Sequence, residues 1–149
     1  ETGLIMLDLD KFKKINDTYG HLYGDYILKE VGKIIKENVR TIDVVGRFGG
    51  EEFSVILVNT NVRDCIPLAK RIVEGINRKT FIFDGIATNL TISAGMSGYP
   101  SMSKESKELI KMADDAMYQT KKKGGNDVTI FQSWNWFLKI ILFEKYENV

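Results

Sequence analysis

The chain has 149 residues, 44% hydrophobic and 28% charged, which suits one buried core and excludes a disordered tail. Lysine and arginine total 21 against 20 for aspartate and glutamate, a formal charge of +1. That balance argues against a broad basic face for duplex nucleic acid and leaves room for a local phosphate patch. A single cysteine, Cys65, excludes a disulfide framework and a cysteine-cluster zinc site. With His21 the one histidine, any metal site must be built mainly from carboxylates, a donor set for magnesium, calcium or manganese. Glu1 to Gly3 is no basic leader, and Trp134 to Phe143, broken by Asn135 and Lys139, is too short to cross a bilayer. The expected setting is soluble and cytoplasmic, with membrane anchoring by other parts of a full-length protein left open.

The run Leu4-Ile5-Met6-Leu7, followed by Asp8-Leu9-Asp10, reads as a buried strand whose exit end carries chemistry. A polar stretch follows through Gly20 and Gly24. From Tyr26 the positions Ile27, Leu28, Val31, Ile34 and Ile35 keep helical spacing. Val44 to Arg47 and Phe53 to Val58 are strand-like around Gly49-Gly50, a hairpin whose glycines supply positive φ. A second amphipathic helix is expected over Val62 to Ile76, with Cys65 a buried thiol on its apolar face. Thr80 to Phe83 and Thr88 to Met96 read as a strand pair about Asp84-Gly85, with Leu90, Ile92, Ala94 and Met96 alternating as in a half-buried strand. Ser103 is placed to cap a third helix, which buries Leu109, Met112, Ala113, Ala116 and Met117 and stops at Gly124-Gly125-Asn126. Val128 to Phe131 is a last short strand. Interleaved strands and helices with a hairpin predict a mixed sheet covered by helices.

Two features combine at the chemistry. A strand delivers Asp8 at its end, and the hairpin Gly49-Gly50-Glu51-Glu52-Phe53 presents two adjacent carboxylates, of which only one can face a given side. An aspartate and a glutamate from neighbouring strand ends can share a divalent cation. Lys11, Lys13 and Lys14 follow the first strand, and Lys121 to Lys123 end the last helix. Carboxylates, a cation and lysines are what a nucleoside triphosphate requires. Taken singly, each feature is ordinary: a turn, solvated glutamates, lysines complementing a helix dipole.

The ordered motifs resemble a known family. Asp8-Leu9-Asp10-Lys11-Phe12-Lys13-Lys14-Ile15-Asn16-Asp17, Tyr19-Gly20-His21 and Gly24-Asp25 are similar to the first half of a GGDEF domain. Arg47-Phe48-Gly49-Gly50-Glu51-Glu52-Phe53 is its naming motif in GGEEF form. Thr91-Ile92-Ser93-Ala94-Gly95 and Ala113-Asp114-Asp115-Ala116-Met117-Tyr118, with Lys121, match later blocks. The resemblance implies an α+β domain over residues 1–131, with a central, mainly antiparallel sheet of about five strands wrapped by helices, as in nucleotidyl cyclase and polymerase palm folds. Residues 132–149 form a separate apolar tail, which includes Trp134, Trp136, Phe137, Ile140, Ile141 and Phe143 and is expected to pack on the domain or on another chain.

The implied activity is that of a diguanylate cyclase, which condenses two GTP into cyclic di-GMP with release of two pyrophosphates. Asp8, the Leu9 carbonyl and Glu51 would hold magnesium, with manganese as the alternative. Glu52 would lie beside the reacting ribose. Phe12 and Lys13 match the segment that wraps the phosphates, near Gly50 at the hairpin tip, and Lys121 matches a second phosphate lysine. Asn16 and Asp25 match the guanine readers. Arg40-Thr41-Ile42-Asp43 gives the R-x-x-D of a product-inhibition site, with Arg71 as its second arginine. A homodimer is implied, because one domain binds one GTP, and an upstream sensor or receiver domain is expected in the full-length protein. Two departures stand out. The family's leading helix and its arginine-bearing loop are absent from this chain, and Gly125 stands where a phosphate-binding arginine is expected, unless Lys122 or Lys123 substitutes. They leave an alternative: a domain that binds GTP or cyclic di-GMP without turnover. A purely structural dimerisation role would leave the acidic pair unexplained.

Overall fold

The computed structural model describes residues 1–132. Strand β1 (Thr2–Leu9) is the centre of a five-stranded sheet. It pairs antiparallel with β3 (Glu52–Val58) on one side and with β6 (Ile92–Tyr99) on the other. Strand β2 (Val44–Gly49) adds to β3, and β7 (Val128–Ile130) adds parallel to β6, so the order is β2-β3-β1-β6-β7. The helices are α1 (Phe12–Tyr19), α2 (His21–Asn38), α3 (Cys65–Arg78, entered through a 3-10 turn at Val62–Asp64) and α4 (Ser106–Lys122). The expected α+β architecture, a mainly antiparallel five-stranded sheet under helices, is the one observed.

Alternation along β1 divides the core. Ile5, Leu7 and Leu9 face a large cluster with Phe12 of α1, with Tyr23, Ile27, Val31 and Ile35 of α2, and with Ala69, Ile72 and Ile76 of α3. Met6, with Leu4 packed beside it, meets Ala113 and Met117 of α4 on the other face. A side-chain period of two means that a one-residue slip would exchange these faces, so burial on both sides fixes the register.

Four local expectations change. The polar stretch after Asp10 is a helix: α1 buries Phe12, half-buries Ile15, and is separated from α2 only by Gly20, so α2 starts at His21 and not at Tyr26. Residues Thr88 to Met96 are not one strand. β4 (Phe81–Phe83) and β5 (Ile86–Thr88) form their own hairpin through Asp84 and Gly85, both at positive φ, which suits its two-residue turn. The chain then breaks at Asn89–Thr91 before β6 joins the main sheet. β6 is buried on both faces, because its alternate residues Ser93, Gly95 and Ser97 are small enough to lie under α4. Ser103 lies before the helix start: its hydroxyl accepts from the Glu105 N–H at 3.0 Å and donates to Glu108 at 2.6 Å, while Glu105 is the N-cap residue. The Cys65 thiol is buried, as expected, and burial pushes its pKa up to about 11. Among the described residues no helix is long and apolar enough to cross a membrane. The aromatic tail beginning at Trp134 lies outside the described residues.

Gly95 sets how closely α4 sits on the sheet. A Cβ there would lie 2.0 Å from the Ala113 carbonyl oxygen and 2.2 Å from the Met117 nitrogen. Both are helix backbone and cannot rotate away. Gly95→Ala is expected to cost at least about 2 kcal/mol in urea unfolding, the scale of an overpacked core. A loss under about 0.5 kcal/mol, the scale of an inert surface change, would show that α4 can lift freely.

Candidate functional site

The register of β1 brings the acidic residues together. Asp8 stands directly opposite Glu52 on β3 and Ser93 on β6. Directly opposed residues of antiparallel strands share a face, and like charges so placed repel. Lys121, in the last turn of α4, brings its Nζ to 2.5 Å from Asp8 Oδ1. The ammonium and the buried carboxylate form a close ion pair, in which hydrogen bonding and charge act together. Burial raises the Asp8 pKa; Lys121 opposes the rise, and Asp10 and Asp114 add to it. Burial likewise raises the Glu52 pKa, helped by the charges of Asp8, Asp114 and Glu51. Asp114 is the member that sequence reasoning left without a role. It stood inside a recognised motif, but only the packing of α4 against β1 shows that its charge reaches this corner.

Glu51 belongs to the turn between β2 and β3. Its carbonyl accepts a long 3.4 Å hydrogen bond from the Leu9 N–H, which holds the turn against the end of β1. Neither Gly49 nor Gly50 has positive φ, so that expectation for the glycine pair fails. The tip is shaped instead by a register shift between Arg47 and Gly49 and by Arg47, whose Nε and Nη2 both donate to the Gly50 carbonyl, at 2.9 and 2.7 Å. Sequence reasoning gave Arg47 no role either. Its place in the motif was the only signal.

The polar positions that follow β1 also converge. Lys11 (φ 58°) turns the chain into α1 without a side-chain cap. The first N–H groups of a helix have no partner within it, and they favour anions. Phe12 supplies such an N–H while its ring is in the core, and Lys13 is exposed. Asn16 lies against Gly24: a Cβ on Gly24 would fall 1.8 Å from Asn16 Oδ1, a buried oxygen with no hydrogen-bond partner among the described residues. Asp25, the next residue, is exposed on α2. The crossing of α1 and α2 thus sets Asn16 against the residue that precedes Asp25.

Arg40 and Asp43 form a closed clasp. The carboxylate, 1% exposed, accepts from Arg40 N, Nε and Nη2 and from the Val58 N–H at 2.8 to 3.1 Å. Arg40 Nη2 also donates to the Val58 carbonyl and to Thr60. Arg71 donates to the Asn38 side chain and carbonyl at the end of α2. The Arg40 guanidinium holds the Asp43 pKa below the usual carboxylate range. Lys122 caps the Tyr118 ring at 4.8 Å and Lys123 lines a groove between α4 and β7, so neither joins Lys121 beside Asp8.

Among the described residues no three acidic, histidine or cysteine side chains form a ready cation cage. The donors nonetheless suit a hard divalent ion. The strand register holds Asp8 and Glu52 opposite each other, burial and repulsion penalise the bare carboxylates, and oxygen is the ligand that magnesium takes. Carbonyl and phosphate oxygens would have to complete the shell.

Glu52 provides a test of this electrostatic frame. A carboxyl group whose pKa is raised by folding favours the fold while it is protonated and loses that contribution as pH rises through the raised value. At pH 7 the ionised group therefore opposes folding. Glu52→Gln is expected to stabilise the metal-free domain at pH 7 by up to about 1 kcal/mol, the scale of a like-charge cross-strand pair. The gain should vanish toward about pH 4, where unfolded carboxylates also take up protons. Urea unfolding across this range measures it, and equal stability at pH 7 would refute the repulsion.

Comparisons with known proteins follow the same geometry. Residues 1–127 match the family model described as diguanylate cyclase, GGDEF domain. The chain is 44% identical over 128 residues to diguanylate cyclase A of Treponema denticola, an alignment that covers 86% of this chain and 34% of that protein. It thus spans about a third of the length of that curated relative. Among solved structures it resembles the active GGEEF domain of a diguanylate cyclase from Vibrio cholerae (TM-score 0.81, 30% identity, 88% of this chain and 83% of that one). It also resembles the GGDEF domain of DgcB from Caulobacter crescentus in complex with c-di-GMP (TM-score 0.80, 28% identity, 87% and 77%). With the family model covering nearly all the described residues and the acidic corner at its centre, this chain belongs to the GGDEF domain family of diguanylate cyclases.

Proposed function

We propose that this chain is a diguanylate cyclase domain that condenses two GTP into cyclic di-GMP and releases two pyrophosphates. The observation that carries the reading is the acidic corner where β1, β3 and the β2–β3 turn meet, with Lys121 beside it. Asp8, the Leu9 carbonyl and Glu51 would hold magnesium, or manganese in its place. When bound, such ions lower the pKa of the attacking 3′-hydroxyl and stabilise charge on the α-phosphate and its leaving group. Glu52, opposite Asp8, faces the reacting ribose. Lys121 and Lys13 neutralise the phosphates, and the N–H groups at the start of α1, Phe12 included, donate to them. Exposed Gly50 leaves the hairpin tip open to close approach. Asn16 and Asp25 read guanine: an aspartate can accept from both N1–H and the 2-amino group, donors that adenine lacks at that edge. A site built on such a pair rejects the wrong base strongly, because its polar groups would be left unpaired.

One such domain holds one GTP, so the cyclic product requires two domains face to face as a homodimer. Control by a sensor or receiver domain elsewhere in the full-length protein fits a chain that spans a third of its curated relative. Gly125, at the place of an expected phosphate arginine, favours the second reading, a module that binds GTP or cyclic di-GMP without turnover. Incubation with GTP and magnesium, followed by chromatography, separates the two. Cyclic di-GMP is expected, falling more than about 100-fold in Asp8→Asn and in Glu51→Ala, as for loss of a metal ligand. Nucleotide binding without product would replace the enzyme by the module. Binding of neither nucleotide would sink both.

Arg40, Asp43 and Arg71 are proposed as the product-inhibition site. Arg40 spends Nε and Nη2 on Asp43, Val58 and Thr60, and its half-exposed guanidinium plane is the part proposed to stack on guanine. Arg40→Ala would also strip the buried Asp43 of its counter-charge, so Arg71→Ala is the cleaner variant. It is expected to weaken cyclic di-GMP binding at least about tenfold, the loss of one charge-assisted contact. Unchanged affinity by calorimetry would remove Arg71 from the site.

A further inference from the structure

Asp10 follows the Leu9 carbonyl by one residue, yet the site described so far does not use it. Its carboxylate is already committed. Oδ2 accepts from the Thr91 hydroxyl at 2.7 Å and from the Asn126 N–H at 3.0 Å, and Oδ1 accepts from the Ser93 hydroxyl at 2.7 Å. Its own N–H donates to the Thr91 carbonyl at 2.9 Å. Gly125 presses on the same carboxylate: a Cβ there would lie 2.8 to 2.9 Å from its carbon and both oxygens. These contacts join three distant stretches of chain: the turn from β1 into α1, the start of β6, and the turn that leaves α4.

The α4 end is itself fixed. The Gly125 N–H donates to the Thr120 carbonyl and the Gly124 N–H to the Lys121 carbonyl, the paired bonds of a glycine helix stop. Both glycines have positive φ. Lys121 therefore projects from a turn whose next residues are tied to Asp10. On the other side, Asp10 immediately precedes Lys11 and Phe12, whose N–H groups open α1. Asp8 and Asp10 differ in kind. Asp8 meets the charged Lys121 ammonium through Oδ1, whereas Asp10 takes three neutral donors and a close backbone wall.

We infer that Asp10 is a positioning residue for the triphosphate: it holds the opening N–H groups of α1 and the Lys121 end of α4 in one arrangement, so that both meet the same phosphates. The inference rests on the GTP reading above. Gly125 belongs to this arrangement in the present chain, since a Cβ added here would require the Asp10 carboxylate to shift. A carboxylate is needed because all three partners are donors. An asparagine can offer only one acceptor oxygen and would turn an N–H₂ toward a donor.

The test uses the whole chain and three probes: GTP with magnesium, GMP with magnesium, and manganese alone, each by calorimetry, with thermal unfolding alongside. Asp10→Asn and the double variant Thr91→Val/Ser93→Ala are compared. The double variant keeps the Asp10 charge and removes two of its three donors, and it serves if Asp10→Asn does not fold. Both variants are expected to weaken GTP at least about tenfold, as for loss of second-shell support. GMP, which lacks the β- and γ-phosphates, should bind within twofold of wild type, as should manganese. Loss of manganese binding in Asp10→Asn alone would make Asp10 a metal ligand and overturn the inference. An equal fall in GTP and GMP, or none in GTP, would also overturn it. If the wild-type chain binds no GTP, the nucleotide reading itself fails and the inference with it; variant-specific failure leaves that reading intact.

Discussion

The antiparallel pairing of β1 with β3 is the constraint on which the rest depends. Its register puts Ile5, Leu7 and Leu9 in one core and Met6 in the other, and the same register puts Asp8 opposite Glu52. Fold and site therefore cannot be changed separately. The pairing is unfavourable where it ends, because two partly buried carboxylates face each other and burial raises both. It is favourable along the rest of β1, whose residues are buried in the core on both faces. The apolar body of the domain thus holds in place an acidic end that would otherwise separate, with Lys121 offsetting part of the charge. A site with this stored repulsion is one that a cation or phosphate-bound cation stabilises by binding.

The β2–β3 hairpin is held at both ends by arginines that donate to fixed acceptors. At the tip, Arg47 grips the Gly50 carbonyl. At the base, Arg40 and Asp43 close onto Val58 and Thr60. The guanidinium has five donors in a rigid fork, so one residue can fix several backbone groups without a large core around it. This matters because β2 is an edge strand with Val44 and Phe48 exposed, and has little apolar burial to hold it. The R-x-x-D motif is consequently structural whatever it binds, and a ligand on Arg40 would meet a pre-oriented group.

What was legible in the sequence depended on whether the signal was local. The apolar run of β1, the helical stripes of α2 and α3, and the hairpin motif all carry their own period, and each was read correctly in kind. α1 was missed because only Phe12 and Ile15 anchor it, too few positions to show a period of 3.6 between polar residues. The break at Asn89–Thr91 was missed because Leu90 happens to continue the alternation into β6, although it packs in the core from outside any strand. β6 looked half-buried because serine and glycine read as solvent-facing, when their small size is what admits α4. Asp114 and Asp10 could not be given roles from one sequence, since their partners lie at distant positions that only the tertiary fold brings close.

Gly125 shows how a single position changes meaning once its neighbours are known. As a sequence feature it is a glycine where the family resemblance implies an arginine. In the fold it is a left-handed residue that ends α4 and lets the Asp10 carboxylate reach Asn126. Among the described residues the cation at Asp8 is Lys121, because Lys122 turns to Tyr118 and Lys123 to the α4–β7 groove. On the proposed nucleotide reading, phosphate recognition would rest on Lys121 and on backbone N–H groups, with Lys13 in the α1 segment. Backbone donors lose no side-chain entropy on binding and do not depend on net charge. They depend wholly on being held in the right place. For a chain with a formal charge of +1, the proposed triphosphate site would depend less on how many cations it carries than on how firmly the turns at Asp10 and Gly125 are fixed.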